Sequence, residues 1–330
     1  MSTGAAPVRQ LDATSVGELR QAAEKILAEF GTSTTSPALL ARVAEVAGDL
    51  SAPTRHELRP VDTDDGLFVL RGWEVDDGGI GPTPSSWATS ADSGAVHDIV
   101  MLLLATVMGN PIAWEGQQDG RFVHNIVPAP GHETEQTGAS SSVLLSPHTE
   151  DAFHPGRAHL LMLGCMRNRD HIATTAASIR NVRLSEADTA LLTRPRLPIL
   201  PDDAYTEAQG FDGGKPAPVP TLFHAKDGLT LRFDPAYTPL DDASPAHRAA
   251  YERLEAELAR VSTAVSLNPG EVLVVDNDLV VHGRVPFRAR YDGTDRWLKR
   301  ASVRVPRRTR PLAEADEHGY GQAAIEAHAA

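Results

Sequence analysis

Three side chains in this sequence are spaced so that they could share one metal ion. The run Val143-Leu-Leu-Ser-Pro-His148-Thr-Glu150-Asp sets a histidine and a carboxylate two residues apart after an apolar stretch. In an extended chain, positions i and i+2 point to the same face, so both side chains can reach one ion. Far downstream, Glu271-Val-Leu-Val-Val-Asp-Asn-Asp-Leu-Val-Val-His282-Gly-Arg brings a second histidine to the end of another apolar stretch. Two histidines and one carboxylate cover one face of an octahedral iron(II) and leave three positions open. Such a site can take a bidentate co-substrate and still activate oxygen. Fourteen residues after His282 comes Arg296, in Asp-Gly-Thr-Asp-Arg296-Trp-Leu-Lys-Arg300. A 2-oxoglutarate that chelates the ion through its keto acid leaves a remote carboxylate, for which a planar guanidinium is a bidentate partner.

Other readings compete for the same residues. His-x-Glu alone carries little information in a chain with 13 histidines. The triad also suits a zinc hydrolase with an activated water, which would leave Arg296 without a task. A sandwich-type binding module, with a structural metal or none, is a third class. His154 and His159 are not spaced for a second compact metal set, and His124, His132, His171, His224 and His247 carry no pattern of their own. Gly78-Gly-Ile-Gly81 lies in an acidic loop with no helix after it, which argues against a dinucleotide site.

The elements that must position these groups follow from periodicity. Val16, Leu19, Ala23, Ile26, Leu27 and Phe30 recur at helical spacing, and Ser36-Pro37 offers an N-cap and first turn for a second helix through Val46. Leu67–Leu70 reads as a short strand, Asp76–Ser86 as a loop, and Ala95–Met108 as a third helix. Beyond Asn110, short apolar runs at Val143–Leu145, Leu160–Met166, Leu229–Phe233 and Val272–Val275 alternate with turn residues, the texture of a sandwich or barrel. One helix interrupts them, capped by Ser244-Pro245 and stopped by Asn268-Pro269-Gly270. The stretch 195–220, rich in Pro, Gly and Asp, is a linker or an active-site flap, and 312–330 reads as partly helical.

At 330 residues, 41% hydrophobic and 23% charged, the chain can build a large core as one elaborated α+β domain. Its formal charge of -13 opposes a nucleic-acid or anionic-membrane surface and suits a cationic small molecule. The lone Cys165, in the apolar run Leu160–Met166, excludes an internal disulfide and reads as a buried thiol. No signal peptide or spanning segment is visible, so the cytoplasm is the expected compartment.

The runs Ser-Pro-His148-Thr-Glu150-Asp-Ala-Phe-His154-Pro, Val274-Val-Asp-Asn-Asp-Leu-Val-Val-His282-Gly-Arg and Tyr291-Asp-Gly-Thr-Asp-Arg296-Trp-Leu-Lys-Arg300 resemble the clavaminate synthase-like iron/2-oxoglutarate oxygenases. Within that family the likeness is to the free amino-acid hydroxylases of the arginine 3-hydroxylase type found in viomycin biosynthesis, and it spans about Trp114 to Arg308. It implies a double-stranded β-helix (jelly-roll) core over 111–310 with flanking helices, a mainly helical elaboration over 1–110, and a flap at 195–220, all in one domain. His148, Glu150 and His282 match the iron ligands, and Arg296 the arginine that binds the far carboxylate of 2-oxoglutarate. Arg300 matches a further arginine close to that pocket, and Thr174 or Thr175 a co-substrate threonine, with Thr175 taken as the site residue. Gln117, together with Glu150, matches the groups that hold the substrate's backbone atoms.

Asp234 sits where an acidic residue faces the guanidinium. A second acid expected two positions later is Ala236 here, so lysine, a cyclic arginine relative or a neutral amino acid also remain open as substrates. Asp202 and Asp203, in the flap, are candidates to restore an acidic contact. The implied activity is β-hydroxylation of a free amino acid for a peptide antibiotic, with O2 consumed and succinate and carbon dioxide released. The carboxylate at Glu150 leaves no place for the halide of related halogenases, while desaturation stays open.

Overall fold

The structure is a computed structural model that describes residues 5–89, 94–201, 217–311, 314 and 319–328. The helices expected early in the chain are present as α1 (Ala13–Phe30), α2 (Pro37–Asp49), the short α3 (Ala52–Glu57) and α4 (Ala95–Met108). Asp12 caps α1 by accepting the Ser15 N–H at 2.7 Å. Ser36 stands at the N-cap of α2 with Pro37 in the first turn, but its hydroxyl makes no capping bond. Later come α5 (Glu186–Leu192) and α6 (Pro245–Val261), the second of which starts where Ser244 accepts the His247 N–H.

Two sheets stand behind the site. The larger runs in the order β1 (Val8–Gln10), β2 (Leu67–Arg71), β11 (Val272–Asp276), β6 (Leu160–Arg167), β13 (Trp297–Arg304), β3 (Asn110–Trp114) and β14 (Ala324–Glu326), with β4 (Val123–Ile126) also on β13. The smaller runs β10 (Thr263–Val265), β7 (Thr174–Ser178), β12 (Val280–Arg284), β5 (Leu145–His148). A hairpin of β8 (Leu222–Ala225) and β9 (Gly228–Leu231) lies apart. Apart from the parallel pair β1–β2, the strands pair antiparallel among the described residues.

Side-chain alternation sorts these elements into layers. On β6, Leu160 and Met162 pack with Leu19, Ile26, Leu39, Val43 and Leu102 of the helices, whereas Leu161 and Leu163 turn the other way onto Ala176 and Val280 of the smaller sheet. The outer face of the smaller sheet, through Ala177 and Val281, is covered by Tyr251, Leu254 and Leu258 of α6. The sequence of layers is therefore helices, larger sheet, smaller sheet, helix. Strands buried on both faces read as continuous apolar runs, as β6 and β11 do.

Several elements differ from expectation. Residues 324–326 form a strand, not a helix, because β3 otherwise ends the larger sheet with an unpaired edge. The run at Val143–Leu145 is not a strand up to Leu145; β5 begins there and carries His148 itself, with Leu144 exposed. Of 195–220, Leu197 pairs with Val219 across the segment, while Asp202, Asp203 and the rest of 202–216 lie outside the described residues. Among the described residues no helix is long and apolar enough to cross a membrane.

Candidate active site

His148 and His282 meet because β5 and β12 are neighbours and the two residues are direct cross-strand partners. Their rings lie 4.4 Å apart between centroids. Gly283 makes this approach possible, since a Cβ there would fall 2.5 Å from the Leu145 carbonyl oxygen, and the register shifts at this point. Glu150 follows β5 in a turn, and its Oε2 lies 3.2 Å from His282 Nε2 and 3.8 Å from His148 Nε2. The three ligand atoms fall within 4.8 Å of one another, the one such group of three among the described residues. His148 donates its Nδ1–H to the Ser146 carbonyl at 2.8 Å, which turns Nε2 toward the centre.

The electrostatics suit a cation. Burial alone would lower His148, but the carboxylates of Glu150 and Asp234 outweigh it and push the imidazole up to about 9. Burial would likewise raise Glu150, yet Arg300 and the two histidines hold it well below the usual carboxylate range. His282, buried beside His148, is pushed down. Two imidazole nitrogens and one anionic oxygen aimed at a common point, with one imidazole fixed through its other nitrogen, are a donor set that fits a divalent iron.

Asn277 ties the two ligand-bearing segments together. Its Oδ1 accepts the Glu150 N–H at 2.8 Å, and its Nδ2 donates to the carbonyls of Glu150 at 3.0 Å and Ala158 at 3.1 Å. Its own N–H donates to the His159 carbonyl. The turn that carries Glu150 is gripped further by Arg232, on the Ala152 carbonyl, and by Arg310, on the carbonyls of Pro155, Arg157 and Ala158.

The triad opens into a cavity of about 590 Å³ whose lining includes Gln117, Asp234, Arg284, Arg296 and Arg300. Arg296 donates to Thr174 Oγ1 at 2.8 Å, and its Nε has no partner. Thr174 and Thr175 point to opposite faces of β7, so of the two candidate threonines it is Thr174 that meets Arg296, while the Thr175 hydroxyl is buried without a partner, against Gly283. Arg300 lines the same cavity and bonds Glu150 Oε1, Gln117 Oε1 at 3.0 Å and His124 Nδ1 at 2.8 Å. Burial and this guanidinium push His124 down to about 3.

Asp234 receives the Ala236 N–H at 3.1 Å and forms no ion pair with lysine or arginine among the described residues; burial pushes its carboxyl up to about 6. Arg284, not singled out from the sequence, lines the cavity two residues after His282 on the same face of β12. The period of two in that strand was the available signal. Burial lowers Arg296 and Arg284 to about 10 each, and the charge of Arg284 depresses Arg296 further.

Residues 101–302 match the family described as taurine catabolism dioxygenase TauD, TfdA family. The chain belongs to the TauD/TfdA dioxygenase family. Within it, the chain is 38% identical over 271 residues to an enduracididine beta-hydroxylase of Streptomyces hygroscopicus, covering 75% of this chain and 79% of that one. It is 32% identical over 260 residues to an L-ornithine/L-arginine 3-hydroxylase of Catenulispora acidiphila, covering 72% and 76%. A crystal structure of the non-heme iron oxygenase OrfP with Fe, succinate and (3R,4R)-dihydroxy-L-Arg superposes with a TM-score of 0.81 at 34% identity, covering 90% of this chain and 94% of that one. This TauD/TfdA member therefore shares with OrfP its mixture of helices and sheets through most of its length.

Proposed function

We propose that this chain is an iron(II)- and 2-oxoglutarate-dependent hydroxylase of a free basic amino acid, L-arginine or a close relative, acting at the β-carbon. In this reading the two sheets form a double-stranded β-helix within one domain, 1–330, and the enzyme works in the cytoplasm. The observation that carries it is the charge pattern of one cavity: a His/Glu/His centre, a half-buried carboxyl at Asp234 with no lysine or arginine partner among the described residues, and buried guanidiniums at Arg296 and Arg284.

His148, Glu150 and His282 would hold the iron. Bound there with 2-oxoglutarate, the metal supplies the oxidising power by which O2, the keto acid and a C–H bond become succinate, carbon dioxide and an alcohol. The chain's own task is placement. Arg296 and Thr174 provide a planar fork and a hydroxyl for the keto acid's far carboxylate. Arg300 and Gln117, joined to each other and to Glu150, offer a donor and an acceptor for the amino acid's carboxylate and amine, so its backbone is anchored directly beside a metal ligand. Asp234 answers the side-chain cation, whose charge would offset the burial that raises this carboxyl. With both ends held, the β-carbon is presented to the centre in one orientation. The walls exclude bulk water from the reactive atoms.

The test is a panel of free amino acids with iron(II), ascorbate and 2-oxoglutarate, scored for succinate and for a mass gain of one oxygen. Arginine or a basic relative should turn over best, and Asp234→Ala should weaken that substrate about thirtyfold or more while sparing neutral ones. A neutral amino acid winning the panel, with Asp234→Ala silent, would sink the substrate assignment. Absence of succinate with every substrate would return the triad to zinc hydrolysis.

A further inference from the structure

Among the described residues, the buried lysines and arginines fall into two groups. Arg157 pairs with Glu314 and with Asp278 at 3.2 Å, Arg167 with Asp77 at 2.6 Å, Arg232 with Glu314 at 3.6 Å and Lys299 with Asp98 at 2.7 Å. Arg284 and Arg296, 4% and 9% exposed, have no carboxylate partner among the described residues. A buried charge left unpaired costs several kcal/mol, yet the described residues pair the other buried cations and leave these two positive charges without an anion among them.

Resting on the reading that this cavity takes a 2-oxo diacid, we infer that Arg284 is a second cationic residue of the co-substrate site, recognising the far carboxylate together with Arg296. Its place on β12 follows from the strand's period, two residues beyond His282 and on the cavity face. Its guanidinium is also a tether. It donates to the Ser140 carbonyl, to Ser140 Oγ at 3.2 Å and to the Val143 carbonyl at 2.9 Å and lies 4.9 Å over the Phe287 ring, so that no anionic group meets it among the described residues. Those acceptors end the segment 127–143, whose residues His132, Gln136 and Thr137 form part of the cavity wall. One side chain thus holds the wall and supplies charge to the space behind it. The charge acts through space on the carboxylate, while the direct fork is that of Arg296.

The inference predicts a selectivity that a tether alone would not produce. With iron(II)-loaded protein under argon, dissociation constants are measured by tryptophan fluorescence for 2-oxoglutarate and for 2-oxopentanoate, which carries a methyl group in place of the far carboxylate. Arg284→Gln should reduce the preference for the diacid about tenfold, the effect of one charge a few ångströms away in a partly shielded site, and Arg284→Lys should retain it. Arg296→Gln, which removes the other unpaired charge and keeps the tether, should leave a residual preference of several-fold. Equal weakening of both ligands by Arg284→Gln, or complete loss of preference in Arg296→Gln, overturns the role. Should wild-type protein itself fail to prefer the diacid, the co-substrate reading falls as well, an outcome distinct from an unchanged preference in Arg284→Gln, which removes the inference alone.

Discussion

Asn277 shows how much of a metal centre lies outside its ligands. The carboxamide holds both main-chain polar groups of Glu150 and sits five residues before His282, so the two distant ligand segments share one fixed frame. Asn277→Asp keeps the shape but loses two donors and buries a charge. We expect its iron(II) dissociation constant to rise about ten- to a hundredfold, read by competition with a chelator; an unchanged constant would show that the clamp does not set the site. The two threonines of β7 separate in the same way. Thr174→Val should raise the KM for 2-oxoglutarate about tenfold by removing a bond to a charged group, while Thr175→Val, whose hydroxyl has no partner, should leave it unaltered. The grouping of His148, Glu150 and His282 was legible because two separate segments, each weak alone, together offer one ligand set. Asn277 and Arg284 were not, because an amide and a guanidinium acquire meaning only from the carbonyls opposite them, which come from segments more than a hundred residues away.

At the scale of elements, the helices were easier to read than the strands. Helices α1, α2, α4 and α6 announce themselves by apolar period and by Asp12, Pro37 or Ser244 at their starts. Strand β7, Thr-Thr-Ala-Ala-Ser, has neither alternation nor bulk, and forms because it is the strand between β10 and β12, which bond it on both sides. Strand β14 likewise exists through its partner β3 and not through its own alanine-rich sequence. Helix α4 bears on the larger sheet with Leu102, Leu103 and Leu104 all essentially inaccessible. Leu103→Ala should therefore cost about 2–5 kcal/mol, seen in denaturant unfolding, with KM for the keto acid unaffected in the folded fraction.

For the whole molecule, acidity is the clearest lever. Burial, with nearby arginines or Lys299, lowers His97 and His154 to about 4 and His124 and His159 to about 3. Unfolded chains bind these protons near pH 6.5 while the folded chain does not, so stability falls as pH drops below about 6.5 and continues to fall toward 3. Asp278, held near 2 against burial by Arg310, Arg157 and Arg308, adds a loss of the same sign at lower pH, as its folded form resists protonation that the unfolded form accepts. Melting temperature measured from pH 8 to 4 should decline through this window, and His159→Gln should flatten the decline. A flat profile would mean these imidazoles are not kept neutral in the fold.

The pairing of β5 with β12 has a mechanical side. Strand β5 is the outermost of its sheet, and its register with β12 is recorded at only two positions, one on each side of an irregularity. An ion gripped by His148 on one strand and His282 on the other would act as a rivet through an irregular edge seam of the sheet. Stripping it with a chelator should free the margin of the smaller sheet before the interior gives way, so that a protease would nick the chain between 127 and 147 first, and refilling with iron should shut that door again.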